Sequence, residues 1–246
     1  RLENNSSPTI QACTFTNNYA RVDGGAILTH DSSPTIENCT FTGNSAGSCG
    51  GAICCLASVY AVPRSNRTVI RNCTLTGNYT DSEGGAILTS NWSQVTIEDC
   101  YIAGNLAGGV IGLGAGGGIT AEGDTTIRNC IIDGNTARLF GGGIWGSKEG
   151  TCTIINCRIT GNRAEVEGGA MRFLKSQNGA LSIYNTLVYG NEAPLPGIGG
   201  LFHTDSSGQP SVIQNSIFWG NSNTTQIAAA STLIISNSNV QGGPTA

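Results

Sequence analysis

The sequence predicts an all-β fold, a right-handed, single-stranded parallel β-helix of about nine coils that runs through residues 1–246 as a single domain. Three observations predict it. Isoleucine recurs at Ile10, Ile36, Ile70, Ile97, Ile127, Ile154, Ile183, Ile213 and Ile235, at spacings between 22 and 34 residues. Fixed residue types follow each isoleucine at constant offsets. No window carries a sustained apolar stripe of helical period. A unit this short cannot bury a core alone, so its copies must stack.

The columns justify each element in turn. Two residues after the isoleucine stand Ala12, Asn38, Asn72, Asp99, Asn129, Asn156, Asn185, Asn215 and Asn237. Stacked in register, their amides are expected to bond along the axis as a ladder. Next come Cys13, Cys39, Cys73, Cys100, Cys130 and Cys157, replaced later by Thr186, Ser216 and Ser238. This interchange reads as small buried side chains stacked as free thiols. Two residues on, the position is always apolar, from Phe15 and Phe41 to Val240. Gly-Asn pairs such as Gly43-Asn44 and Gly161-Asn162 follow, then Gly-Gly runs such as Gly24-Gly25-Ala26-Ile27. Short alternating segments broken by Asn and Gly are strands and turns. The right hand follows from the chirality of parallel connections. At strand spacing, nine coils make a rod on the order of 40 Å long.

Composition excludes several function classes. Charged residues are 11% of the chain and the net charge is −4, with Lys148 and Lys175 the only lysines. That leaves no basic footprint for nucleic acid or for an anionic membrane. No apolar run reaches membrane-spanning length, and no signal peptide is visible. Because the chain opens on Arg1, it reads as a mature product or an excerpt. No cofactor motif is found: GGVIGLGAGGG at 108–118 lacks the Lys-Ser/Thr of a phosphate loop and reads as a turn insertion. No metal site is expected either, because a CxxC pair is absent and His30 and His203 lie far apart along the rod. Cys49 is near enough in sequence to Cys54 and Cys55 for one disulfide around the long second coil.

Gly-Gly-Ala-Ile paired with Phe-x-x-Asn resembles the repeats of chlamydial polymorphic outer-membrane proteins. Gly24–Ile27, Gly50–Ile53 and Gly84–Ile87 carry the first motif, and Phe15–Asn18, Phe41–Asn44 and Phe218–Asn221 the second. Looser copies cover the rest of the chain. The resemblance implies a secreted or cell-surface passenger, stalk or fibre element, often adhesive. That family's membrane barrel is not found in this sequence. The pectin-lyase-like fold also hosts polysaccharide lyases and glycoside hydrolases, which need clustered carboxylates. Asp99, Glu122, Asp124 and Asp133 are the nearest approach to such a cluster, but turn and ladder roles account for them. Glu37, Arg71, Glu98 and Arg128 alternate in sign one residue after the isoleucine and read as a charge ladder. The sequence therefore favours a non-enzymatic protein.

Two outward columns are binding candidates. One runs Leu28, Cys54, Leu88, Thr120, Trp145, Arg172, His203, so that Trp145, Arg172 and His203 are expected to stack on adjacent coils. The other sets Tyr189 over Trp219, with Tyr184 nearby. Aromatics in line suit a carbohydrate or a protein surface. Thr14/Thr16, Thr40/Thr42 and Thr74/Thr76 resemble the arrays of β-helical ice-binding proteins, but the pattern dissolves at Tyr101/Ala103 and reads as strand preference. Sequons at Asn66, Asn78 and Asn91 suggest a surface location, while Asn38 and Asn72 should stay bare. Residues 1–7 and 242–246 make weak caps, so the sequence reads either as a segment of a longer solenoid or as a chain whose ends associate head to tail.

Overall fold

The computed structural model describes all residues except 4, 59–65, 109–112, 149, 176–178, 207, 230–231 and 243–246. Part of the glycine-rich turn insertion and nearly all of the expected tail cap lie outside the described residues. Each coil contributes up to four short strands, and the described residues form no helix. The first coil sets the pattern with Thr9–Gln11, Thr14–Thr16, Tyr19–Ala20 and Ile27–His30. Repetition gives four parallel sheets of nine, nine, six and eight strands, here called first to fourth in that order. Registry is residue on residue, with Ile10 on Ile36, Phe15 on Phe41, Ala20 on Ala46 and Ile27 on Ile53.

The nine isoleucines all sit in the first sheet, yet complete turns number about seven. The third sheet has only six strands, and its continuation at Glu192 is a single bridge. The last windings therefore lack one side, and nine coils is a slight overcount.

The interior is a set of apolar columns. Ile36, Ile70, Ile97, Ile127, Ile154, Ile183 and Ile213 are each fully buried, and Phe15 stacks on Phe41 with ring centroids 4.9 Å apart. Each such side chain contributes about 2 kcal/mol by leaving water. At the two ends the same columns are only partly covered, at Ile10 and Phe15 and at Leu233, Ile235 and Val240.

The asparagine ladder exists, but not in the column expected. The residues two beyond the isoleucine, from Ala12 to Asn237, all have φ between 48° and 54° and are exposed. They form the left-handed bend between the first and second sheets, where Asn and Asp recur because they tolerate that conformation. Only Asn129 to Asp99 and Asn156 to Asn129 bond there. The ladder instead starts at exposed Asn18 and runs buried through the Gly-Asn turns at Asn44, Asn78, Asn105, Asn135, Asn162, Asn191 and Asn221, ending on Gln226. Each amide donates to the next asparagine and, from Asn44 on, to a strand carbonyl, as Asn135 Nδ2 does to Ile102 O at 2.9 Å. Each Oδ1 also takes the backbone N–H of the neighbouring coil.

The Gly-Gly runs have a steric cause. At Gly50, φ is +61° and a Cβ would lie 2.2 Å from the Ile53 carbonyl oxygen. At Gly51 it would meet the Gly85 carbonyl of the next coil at 2.1 Å. Neither position admits another residue without moving backbone.

Candidate functional site

On the fourth sheet the outward column reads Leu28, Cys54, Leu88, Thr120, Trp145, Arg172 and then Phe202. His203 is not in it. His203 pairs with Phe173, faces the interior and is fully buried. Met171 N bonds Gly200 O, whereas Ile144 N bonds Ala170 O. The Gly199-Gly200 pair thus arrives one residue later than in earlier coils, and alignment on it misplaces everything that follows. One residue of slip turns a side chain from outside to inside.

Trp145 and Arg172 are neighbours as expected, but Trp145 is buried and Arg172 is engaged by other side chains, so they make no open stack. Trp145 is 6% exposed, and its Nε1 has no hydrogen-bond partner. Arg172 Nε donates to Glu167 Oε2 at 3.0 Å. Its guanidinium lies 4.0 Å from the centre of the Phe140 ring and 5.5 Å from that of Phe202. This arrangement pins the coil more than it presents a ligand face.

The second sheet holds the open surface. Tyr189 pairs with Trp219, and Leu187 with Ile217, on adjacent strands. Tyr189 is 51% exposed and Trp219 44%, with Ile217 also exposed beside them. Following the Tyr189 column back along the rod gives Thr160 and then Asp133. Tyr184 is half-buried at the end of a first-sheet strand, paired with Ile155 and Gln214. The result is a flat patch of two aromatic rings flanked by aliphatic side chains and continued by a hydroxyl and a carboxylate. The threonine pairs occupy the opposite end of this sheet, where Thr42 and Thr76 hydroxyls meet at 3.4 Å.

The four candidate acids have separate local settings, with Glu122 and Asp124 flanking Gly123. Asp99 is a bend residue that accepts from Asn129. Glu122 is buried where the fourth sheet ends. Asp124 opens a first-sheet strand and takes the Thr151 N–H at 2.9 Å. Asp133 lies on the second sheet and takes the Thr160 hydroxyl. Of the charge ladder, Arg71 binds Glu37 through Nε at 2.7 Å and Arg128 binds Glu98 at 2.6 Å.

A family model described as right handed beta helix region matches residues 1–186 and again 112–240. The chain belongs to the right-handed β-helix family. No curated protein and no solved structure matches it significantly. The family names a fold, so function has to be argued from the surface this β-helix carries.

All ten cysteines of this β-helix are free thiols. The six in the column do more than fill space. Cys39, Cys73, Cys100, Cys130 and Cys157 each donate to the carbonyl two residues earlier, as Thr186, Ser216 and Ser238 also do. Their sulfur or oxygen accepts the preceding coil's N–H at Cys13, Cys157, Thr186 and Ser216. Hydrogen bonding explains why Cys, Thr and Ser interchange there. Of the two candidate partners for Cys49, Cys55 turns into the core, while Cys54 faces Cys49 across the glycine turn. Asp23 joins them, a grouping the sequence reading missed. Column registration would have found it, because Asp23 and Cys49 precede equivalent Gly-Gly pairs.

The sequons divide differently from expectation. Asn66 and Asn78 are buried and hydrogen-bonded inside the coil, so neither can carry a glycan, whereas Asn91 is half-buried and Asn38 and Asn72 are exposed.

Proposed function

We propose that this right-handed β-helix is a non-enzymatic scaffold, secreted or held at a cell surface as a stalk, passenger or fibre element, that meets its partner through the Tyr189–Trp219 patch. The observation that carries the reading is this half-exposed aromatic pair, one coil apart in a single outward column, beside exposed Ile217. Rigid aromatics on a regular sheet lose little entropy on binding, and burial of such a patch is favourable. Asp99 accepts from Asn129, Asp124 from the Thr151 N–H and Asp133 from the Thr160 hydroxyl, and these structural bonds support a non-catalytic role for the three. The resemblance to polymorphic outer-membrane repeats supports the surface location.

A second reading has its own observation. The aromatic column continues into Thr160 and Asp133, and rings followed by hydroxyl and carboxylate suit a polysaccharide laid along the axis. The experiment is retention and turnover of the intact chain on a polysaccharide panel and on whole cell surfaces. Retention without turnover, lost in Tyr189→Ala/Trp219→Ala, is the expected result. Turnover that disappears in Asp133→Asn or Glu122→Gln would overturn the non-enzymatic reading, and retention unchanged in the aromatic double variant would remove the patch from it.

A further inference from the structure

We propose that Asp23, Cys49 and Cys54 form a binding site for one thiophilic divalent cation, with zinc as the best match to the ligand set. One ligand atom from each residue lies within 4.8 Å of the other two, and this is the sole such group among the described residues. Two thiolates and a carboxylate are a zinc donor set, with the fourth tetrahedral position left to water. Zinc–sulfur bonds of about 2.3 Å hold two sulfurs about 3.8 Å apart, so small side-chain rotations complete the geometry. Cys54 is fully buried, whereas Asp23 and Cys49 are half-exposed, which gives the cation a route in.

The scaffold fixes all three positions. Asp23 and Cys49 are bridged on adjacent coils, and Gly24 N donates to Cys49 O at 2.8 Å. Cys49 and Cys54 straddle the turn Gly50–Ile53, whose left-handed Gly50 admits no Cβ. In other coils these two positions already face each other. Thr120 Oγ1 donates to Ala115 O at 3.1 Å, and Arg172 donates to Glu167. The second coil alone places thiols at both. Ser48 Oγ lies 3.3 Å from Cys49 Sγ, where its hydroxyl can donate to a metal-bound thiolate. Glu83 continues the Asp23–Cys49 column on the third coil and adds negative charge nearby.

Burial, then the Cys49 contact and the Cys49 and Asp23 charges, raise the Cys54 thiol well above its ordinary value. Zinc binds the thiolate form, so binding releases thiol protons. The thiol column differs in kind, because each of its buried sulfurs donates to a backbone carbonyl.

The test uses the full chain carrying Cys13→Ser, which removes the exposed column thiol. Reduced, metal-free protein is titrated with Zn2+ against a chromophoric chelator, and with Cd2+ while thiolate-to-metal charge-transfer absorption is followed. One equivalent should bind. Cys49→Ser and Asp23→Asn, both at half-exposed positions, should each weaken it at least about tenfold with the thermal melt unchanged. Absence of a one-equivalent complex overturns the proposal, as does affinity unchanged in both variants. Isolation of the untreated protein with a Cys49–Cys54 disulfide and no bound metal also overturns it.

Discussion

Replacing Asn135 by alanine tests the buried amide ladder where it is fully enclosed. Asn135 Oδ1 accepts from Asn105 N at 3.0 Å and Asn105 Nδ2 at 2.9 Å, while its Nδ2 donates to Ile102 O and Asn162 Oδ1, each at 2.9 Å. Alanine removes these four bonds and leaves the buried Asn105 N–H without an acceptor. At about 1 kcal/mol per bond, with a further cost for the orphaned donor, the loss is about 3–5 kcal/mol. Asn129→Gly is the matched control. Asn129 sits in the exposed left-handed column with φ 54°, where glycine is at ease, so its loss should stay within about 1 kcal/mol. Urea unfolding followed by far-UV circular dichroism measures both variants. Hydrogen exchange should show lost protection in 101–107 and 131–137 for the first alone, since stability in a stacked array is carried by neighbouring interfaces. An Asn135→Ala loss below about 1 kcal/mol, or one no larger than that of Asn129→Gly, would refute the ladder as a main support of the stack.

Arg172→Ala should cost about 2 kcal/mol, because the guanidinium joins Glu167 to the rings of Phe140 and Phe202, and Arg172→Lys should recover less than half of it in the same unfolding assay. Burial pushes the Cys55 and Cys152 thiols from 9.0 up to about 11 each, so the neutral thiol is the folded form and their stabilisation is complete below about pH 9. It is lost as pH rises from about 9 to about 11, by about 3 kcal/mol per thiol, and Cys152→Ala should flatten the alkaline limb of stability against pH. Expression in a glycosylating host should leave Asn66 and Asn78 unmodified by peptide mass spectrometry, because both are buried in the coil.

The parts of this molecule legible in the sequence are those fixed by a single column. The isoleucines locate the first sheet because each must be apolar wherever a neighbour stacks on it. Alternating signs at Glu37, Arg71, Glu98 and Arg128 revealed two ion pairs, and common offsets brought Tyr189 onto Trp219. What failed depended on backbone conformation or on counting across a variable turn. Asn38 and Asn44 look alike as letters, but one supplies a left-handed bend and the other a buried amide. His203 was misplaced because Gly199-Gly200 shifted by one, and a one-residue slip exchanges core for surface. The Asp23–Cys49–Cys54 grouping spans two coils and a five-residue clasp, so no local motif announces it.

Registry between coils underlies every column described, and one distance tests it directly. Thr16 and Thr160 lie in the same outward column of the second sheet, five strands apart through Thr42, Thr76, Ala103 and Asp133. Spin labels at Thr16→Cys and Thr160→Cys, in a chain with Cys13→Ser and Cys49→Ser, should give a narrow distance near about 24 Å by pulsed electron resonance, five steps of about 4.8 Å. A broad distribution, or a peak more than about 10 Å away, would contradict the in-register solenoid and every surface assignment built on it.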